Sequence, residues 1–175
     1  MTHYQYFSIW GLLLGAFVFF LAPVQADIKN GTAETQVYNL RQQRNQAIES
    51  VLDQLAQVDV VYLAETHDRR EDHRAQLEIL RLLHHRRPTL IIGMEMFQRP
   101  YQVALDRYIT GQITEADLIQ QTQYQRRWGY PWELYAPIVQ FAKEHRLPIM
   151  ALNTPSEVTR KVVRSGLDSL TLAER

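Results

Sequence analysis

The chain has 175 residues, enough for one domain with a sizeable core, and its hydrophobic content of 46% is ordinary for a globular protein. Its 19 basic residues balance its 19 acidic ones, so no global charge draws it to nucleic acid or to an anionic membrane surface. It contains no cysteine. That excludes a disulfide framework, a thiolate metal site, a cysteine nucleophile and a lipid-modified N-terminal cysteine.

The apolar run from Ile9 to Leu21 stops before Pro23, and Val24-Gln25-Ala26 offers the kind of site a signal peptidase prefers. The run is shorter than the roughly 20 apolar residues a membrane span needs. No Lys or Arg precedes it, only the amino terminus and His3. The pattern predicts an export signal over residues 1–26, with an uncleaved anchor as the alternative. A mature protein would then begin near Asp27, without stable membrane insertion, and work in the periplasm or outside the cell. Residues 27–36 read as a polar leader.

From Val37 onward, Val37, Leu40, Ala47, Ile48, Val51, Leu52 and Leu55 recur at helical spacings and predict one amphipathic helix. The β-branched, nearly all-apolar run Val58–Ala64 reads as a strand buried on both faces of a parallel sheet. Leu90–Met94 and Pro148–Leu152 read the same way. Asp68 with Glu71 predicts a capping box opening a helix that buries Leu77, Leu80 and Leu83 and stops before Pro88. Helices are also expected over 98–109, from Thr114, from Trp132 to His145, and from Ser156. The strand and helix order implies an α/β fold, a parallel sheet flanked by helices, with about three strands in this chain. A sheet that thin, and the capping pattern Thr171 to Glu174 just before the last residue, suggest an incomplete domain or a sheet completed by a partner.

In an open parallel sheet, ligands bind outside the carboxyl ends of the strands. Glu65 and His67 follow the first expected strand, Glu95 the second and Asn153 the third. Alternate residues of an extended segment share a side, so Glu65 and His67 can converge on one ligand. They can serve as metal ligands, as a general base with its orienter, or merely as a helix cap and a loop contact. A buried Glu95 would need a metal or a partner such as Arg99. Asn153 can equally be a turn residue. His73, in the next helix with Gln76 one turn on, either leans over the crevice or lies in the core.

Trp128, Tyr130, Trp132 and Tyr135 form an aromatic stretch beside Arg126 and Arg127. It either packs a helix start or suits a haem, with rings stacked on the macrocycle, a tyrosinate on ferric iron and arginines on propionates.

Several spaced elements together resemble the ChaN family of haem-binding uptake proteins in the Tiki superfamily. They are Tyr62-Leu63-Ala64-Glu65-Thr66-His67-Asp68, His73 with Gln76, and Gly93-Met94-Glu95-Met96-Phe97 with Gln102. Trp128, Tyr135 and Pro137, Phe141-Ala142, and Ala151-Leu152-Asn153 continue the likeness to the C-terminus. The resemblance implies an exported haem-binding or iron-binding protein of iron uptake, with an α/β core over residues 37–175 and an option of haem-bridged homodimers. Hydrolase-like relatives imply an alternative: a divalent metal held by His67 and Glu95, with Glu65 activating water. An inactive truncated member is the third option. Ala64 stands where the family usually has glycine, and the family pattern continues beyond the last residue here. The expected haem-binding set is His67, His73, Trp128, Tyr130, Tyr135 and Asn153, and a binding protein is favoured over an enzyme.

Overall fold

The computed structural model describes residues 36–174, and the chain divides between Ala64 and Glu65 into two compact units. The expected export signal, and the leader up to residue 35, lie outside the described residues.

The first unit corrects the sequence reading twice. Where one helix is expected from Val37, the chain instead forms a hairpin of β1 (Gln36–Asn39) and β2 (Arg44–Ala47), paired antiparallel. Its turn closes through Gln43 at φ 51°, while the Asn39 carboxamide oxygen accepts from the Gln42 N–H at 3.0 Å. The helical spacing of Val37 and Leu40 is outweighed by this local turn chemistry. The helix α1 begins only at Glu49 and ends at Leu55, burying Val51, Leu52 and Leu55. The second correction concerns Val58–Ala64, which carries a single bridge residue, Tyr62, instead of a strand. Branched side chains supply strand propensity, but a strand exists only where a ladder forms, and propensity yields to context.

The second unit carries the parallel pair, so the chain is mixed α/β as expected. The strands are β3 (Ile92–Gln98) and β4 (Ile149–Asn153), with Ile92 opposite Ile149 and Gln98 opposite Asn153. Alternation places Ile92 and Met94 in the core with Ile149 and Ala151, leaving Ile91, Met150 and Leu152 exposed. The helix α2 (Arg70–Arg86) ends before Pro88, as Pro requires of the residue ahead of it. Its expected Asp68–Glu71 capping box is not formed. Asp72 instead accepts the Thr66 N–H at 2.9 Å, which satisfies the loop from inside the helix.

After β3, a short 3₁₀ turn (Arg99–Tyr101) leads into α3 (Gln102–Ile109), and Gly111 leaves it at φ 76°. The helix α4 (Glu115–Gln121) opens on a true capping box between Thr114 and Asp117. Next come α5 (Tyr124–Arg127), α6 (Trp132–Glu144) and α7 (Ser156–Ser165). Trp132 donates to Glu115 at 3.0 Å and Gln140 donates to the same carboxylate at 2.9 Å, tying α6 to α4.

One residue of the sequence pattern finds its role here. The Gln102 amide donates to the Ile149 carbonyl at 2.7 Å and accepts from the Ala151 N–H at 2.8 Å. Ile149 and Ala151 alternate with the positions facing β3, so Gln102 caps the outer edge of β4 as a neighbouring strand would.

Candidate functional site

The site is wired around one carboxylate. Glu65, with its side chain only 4% exposed, sits in the loop before α2. Its Oε1 accepts from His67 Nδ1 at 2.8 Å and from the Tyr135 hydroxyl at 2.7 Å. Its Oε2 faces Nδ1 of His73 at 3.2 Å, an ion-pair distance that lies off the hydrogen-bond direction. The other nitrogen of His73 meets the His67 carbonyl at 3.1 Å. A buried carboxylate is costly unless its oxygens are met by donors, and here side chains from the loop and from α6 donate to Oε1 while His73 of α2 stands at ion-pair distance from Oε2.

Tyr135 is fully buried at the start of α6, and its hydroxyl also reaches the His67 carbonyl at 3.3 Å. Burial first, and then its hydrogen bond to Glu65, push its phenol well above the usual range, so it stays protonated. Tyr124, also buried, is pushed up by burial and by the nearby Glu65 charge. The hydroxyl of Tyr124 has no hydrogen-bond partner among the described residues.

His67 is the outward-facing member. Donation through Nδ1 leaves Nε2 with its lone pair free to coordinate. Its ring lies edge-on to Trp128 at 4.8 Å between centroids and tilted against Tyr130 at 4.7 Å. Trp128 and Tyr130 touch each other at 5.8 Å, so the imidazole stands in a small aromatic mouth. Tyr130 and the rim of His67 remain about a third exposed.

The geometry groups the expected residues unevenly. Glu65, His67 and Glu95 offer ligand atoms that all lie within 4.8 Å of one another, as the sequence reading requires. Glu95 does not follow its strand but stands within β3, 55% exposed and 4.0 Å from His67, so it is not the buried carboxylate expected. His73 does not lean over the crevice. It is 4% exposed beneath Glu65, with its ring edge-on to Tyr135 at 4.6 Å. Asn153 ends β4 beside Gln98, at the carboxyl end of the sheet.

The arginines divide. Arg127 is committed to the protein itself, donating to Gln98 at 2.8 Å and to Ser156 and Glu157 at 3.2 Å, with its guanidinium 5.2 Å from the Tyr101 ring. That network locks the end of β3 to the start of α7. The sequence reading missed it because nothing in the spacing of Gln98, Arg127 and Glu157 announces a contact. Arg126 is exposed and hydrogen-bonded to Gln123.

Comparison with known proteins fits this geometry. ChaN of Campylobacter jejuni, solved in a structure concerned with cofacial haem binding, is similar over 70% of this chain and 50% of its own, with TM-score 0.59 and 22% identity. That likeness establishes the fold. Protein RETICULATA-RELATED 5, chloroplastic, of Arabidopsis thaliana is 26% identical over 132 residues, which are 71% of this chain and 18% of that protein. The chain thus spans half the length of the solved relative and under a fifth of the curated one. The model of the family described as haem-binding uptake, Tiki superfamily, ChaN, matches residues 51–175. With the match covering most of its length, the chain belongs to the ChaN family of haem-binding uptake proteins.

Proposed function

We propose that this protein is an exported haem-binding protein of iron uptake, and that it takes haem at the mouth formed by His67, Trp128 and Tyr130. The observation that carries this reading is the state of His67. Its Nδ1 is engaged by a buried carboxylate, its Nε2 makes no hydrogen bond among the described residues, and two aromatic rings flank it.

The residues fit the group. A haem needs an iron ligand, a flat apolar face and exclusion of water from the coordinating atom. His67 or the partly exposed Tyr130 can supply the ligand, and Trp128 and Tyr130 the face. Tyr135 is a supporting residue in this reading, because its protonated hydroxyl already serves Glu65. Asn153 ends β4 opposite Gln98, at the carboxyl end of the parallel pair, and Arg126, exposed and joined to Arg127 only through Gln123, is the arginine suited to a propionate. Bound haem would supply the iron to be carried. The protein orients His67 through Glu65 and flanks its ring with Trp128 and Tyr130.

Titration of haem into the full chain, followed at the Soret band, tests the proposal. A saturable shift is expected at one haem per chain, or at half that value if two copies share haem in a homodimer. A folded sample that gives no shift defeats it.

The cluster of Glu65, His67 and Glu95 supports a second reading, a hydrolase using a divalent cation. His67 and Glu95 can hold the cation. Glu65 is poorly placed as the water-activating base, since its side chain is 4% exposed and its Oε1 already accepts from His67 and Tyr135. Retention of zinc or manganese after dialysis, lost in Glu95→Gln, would favour this reading. A chain that retains no metal would exclude it.

A further inference from the structure

We infer that His84 and His145 form a second metal site, an imidazole pair that takes one divalent transition metal ion of the zinc kind. The pair lies at the opposite end of helices α2 and α6 from Glu65, and it does not rest on the haem reading.

The way the two helices pack brings these histidines together. Along α2 the inward stripe runs through His73, Gln76 and Leu80 to His84. Along α6 it runs through Leu134, Ile138 and Phe141 to His145, again in steps of three or four residues. At one end of the packed pair His73 meets Tyr135, and at the other His84 meets His145, with ring centroids 4.5 Å apart. About three turns of α2, roughly 16 Å at the usual rise, separate His84 from His73.

The spacing is that of two ligands on one ion. A metal held at about 2.0–2.1 Å by one nitrogen of each imidazole sets the two centroids roughly 4.5–5 Å apart at ordinary coordination angles. The observed separation falls in that range, and the planes are tilted by 53°, so the rings do not simply stack face to face. Phe141, itself buried, orders both of them. It stands edge-on to His84 at 5.7 Å and tilted against His145 at 4.5 Å. Rings already fixed by packing lose less freedom when they ligate.

The surroundings leave the nitrogens available and favour a cation. Neither ring has a hydrogen-bond partner among the described residues, so no protein donor competes for the lone pairs. His145 is exposed and His84 half-buried, which lets water complete the coordination. His84 lies in the last turn of α2 and His145 caps α6, so the negative ends of two helix dipoles meet at the pair. The basic neighbours Arg86, Arg87 and Arg146 are exposed to solvent, where screening weakens their repulsion. Arg86 also turns back onto the Leu82 carbonyl at 3.4 Å.

The test uses the full chain without haem, labelled with ¹⁵N-histidine and titrated with zinc chloride, each ring being read by long-range ¹H–¹⁵N correlation. One nitrogen of His84 and one of His145 are expected to shift together along a single saturation curve, at one zinc per pair. His67 reports separately on the cluster with Glu65 and Glu95, so zinc taken there is told apart from zinc taken here. His84→Phe and His145→Phe each keep an aromatic ring against Phe141 and remove one ligand. Each should abolish the response of the remaining histidine and weaken this zinc step at least about 10-fold, no less than the loss of an outer partner costs. The exposed position of His145 keeps that variant foldable if His84→Phe is not.

Resonances of His84 and His145 that stay still in excess zinc would overturn the inference. So would two independent curves, or a histidine that responds unchanged when its partner is phenylalanine. Because no haem is present, the result stands apart from the outcome of haem binding.

Discussion

Replacing Tyr135 by phenylalanine isolates the linkage at the centre of the site. The ring stays, with its contacts to His73 at 4.6 Å and Trp128 at 6.0 Å, and only the hydroxyl is lost. That hydroxyl donates at 2.7 Å to a carboxylate whose side chain is 4% exposed. A hydrogen bond to a charged group contributes about 1.5–3 kcal/mol, and no water can replace it at a fully buried position. The expected loss is therefore about 2 kcal/mol at neutral pH, measured by urea unfolding with tryptophan fluorescence from Trp128 and Trp132. The pH dependence gives an independent check. The folded-state phenol is raised above its ordinary value of 10.0, so the unfolded chain loses its proton first as pH rises. The stability this group contributes is complete below pH 10 and declines above it, toward the folded midpoint. The gap between the two proteins should consequently narrow above pH 10. A loss below roughly 0.5 kcal/mol, the scatter of an ordinary surface change, or a gap unchanged at pH 11, would refute the reasoning.

Two further outcomes follow from the fold around the site. Gln102→Ala should destabilise the second unit by about 1–3 kcal/mol, because the Ile149 carbonyl and the Ala151 N–H both lose a partly buried partner. Amide exchange at Ala151 should accelerate more than at residues paired with β3, and equal acceleration of both would argue against an edge cap. In the α4 capping box, the Thr114 side chain and backbone hold the Asp117 carboxyl below its ordinary value of 3.8. The stability it lends is present above that value and lost as pH falls through the lowered midpoint. Thr114→Ala should return the Asp117 midpoint, followed by carboxyl NMR, toward the ordinary value.

The sequence made the site more legible than the frame that carries it. Glu65 and His67 lie two residues apart and Glu95 lies on an apolar strand, a spacing that pointed to a shared site although no strand precedes Glu65 and Glu95 stands within β3. The direction of each side chain is not set by that spacing. His73 reads equally well as a crevice residue or a core residue, and only the packing of Tyr135 and Glu65 decides for the core. The hairpin at residues 36–47 was hidden because Val37, Ala47 and Ile48 satisfy a helical spacing by coincidence, while the turn at Leu40–Gln43 has no glycine to announce it. Val58–Ala64 misled in the opposite way, since its composition is that of a strand but a ladder depends on neighbours the segment does not specify. The Arg127 network joins residues about 30 positions apart, beyond the reach of any local pattern.

The most direct test of the haem site is a Soret titration of the full chain beside His67→Ala, Tyr130→Phe and Tyr135→Phe, with electron paramagnetic resonance of each ferric complex. Saturable binding is expected in the unaltered protein, with the iron signature abolished or changed by His67→Ala or Tyr130→Phe. Tyr135→Phe should leave the ligand type intact and weaken binding only through its effect on Glu65. Saturable binding with a ferric signature that none of these changes alters would contradict the assignment of the site, and absence of binding in folded protein would contradict the function.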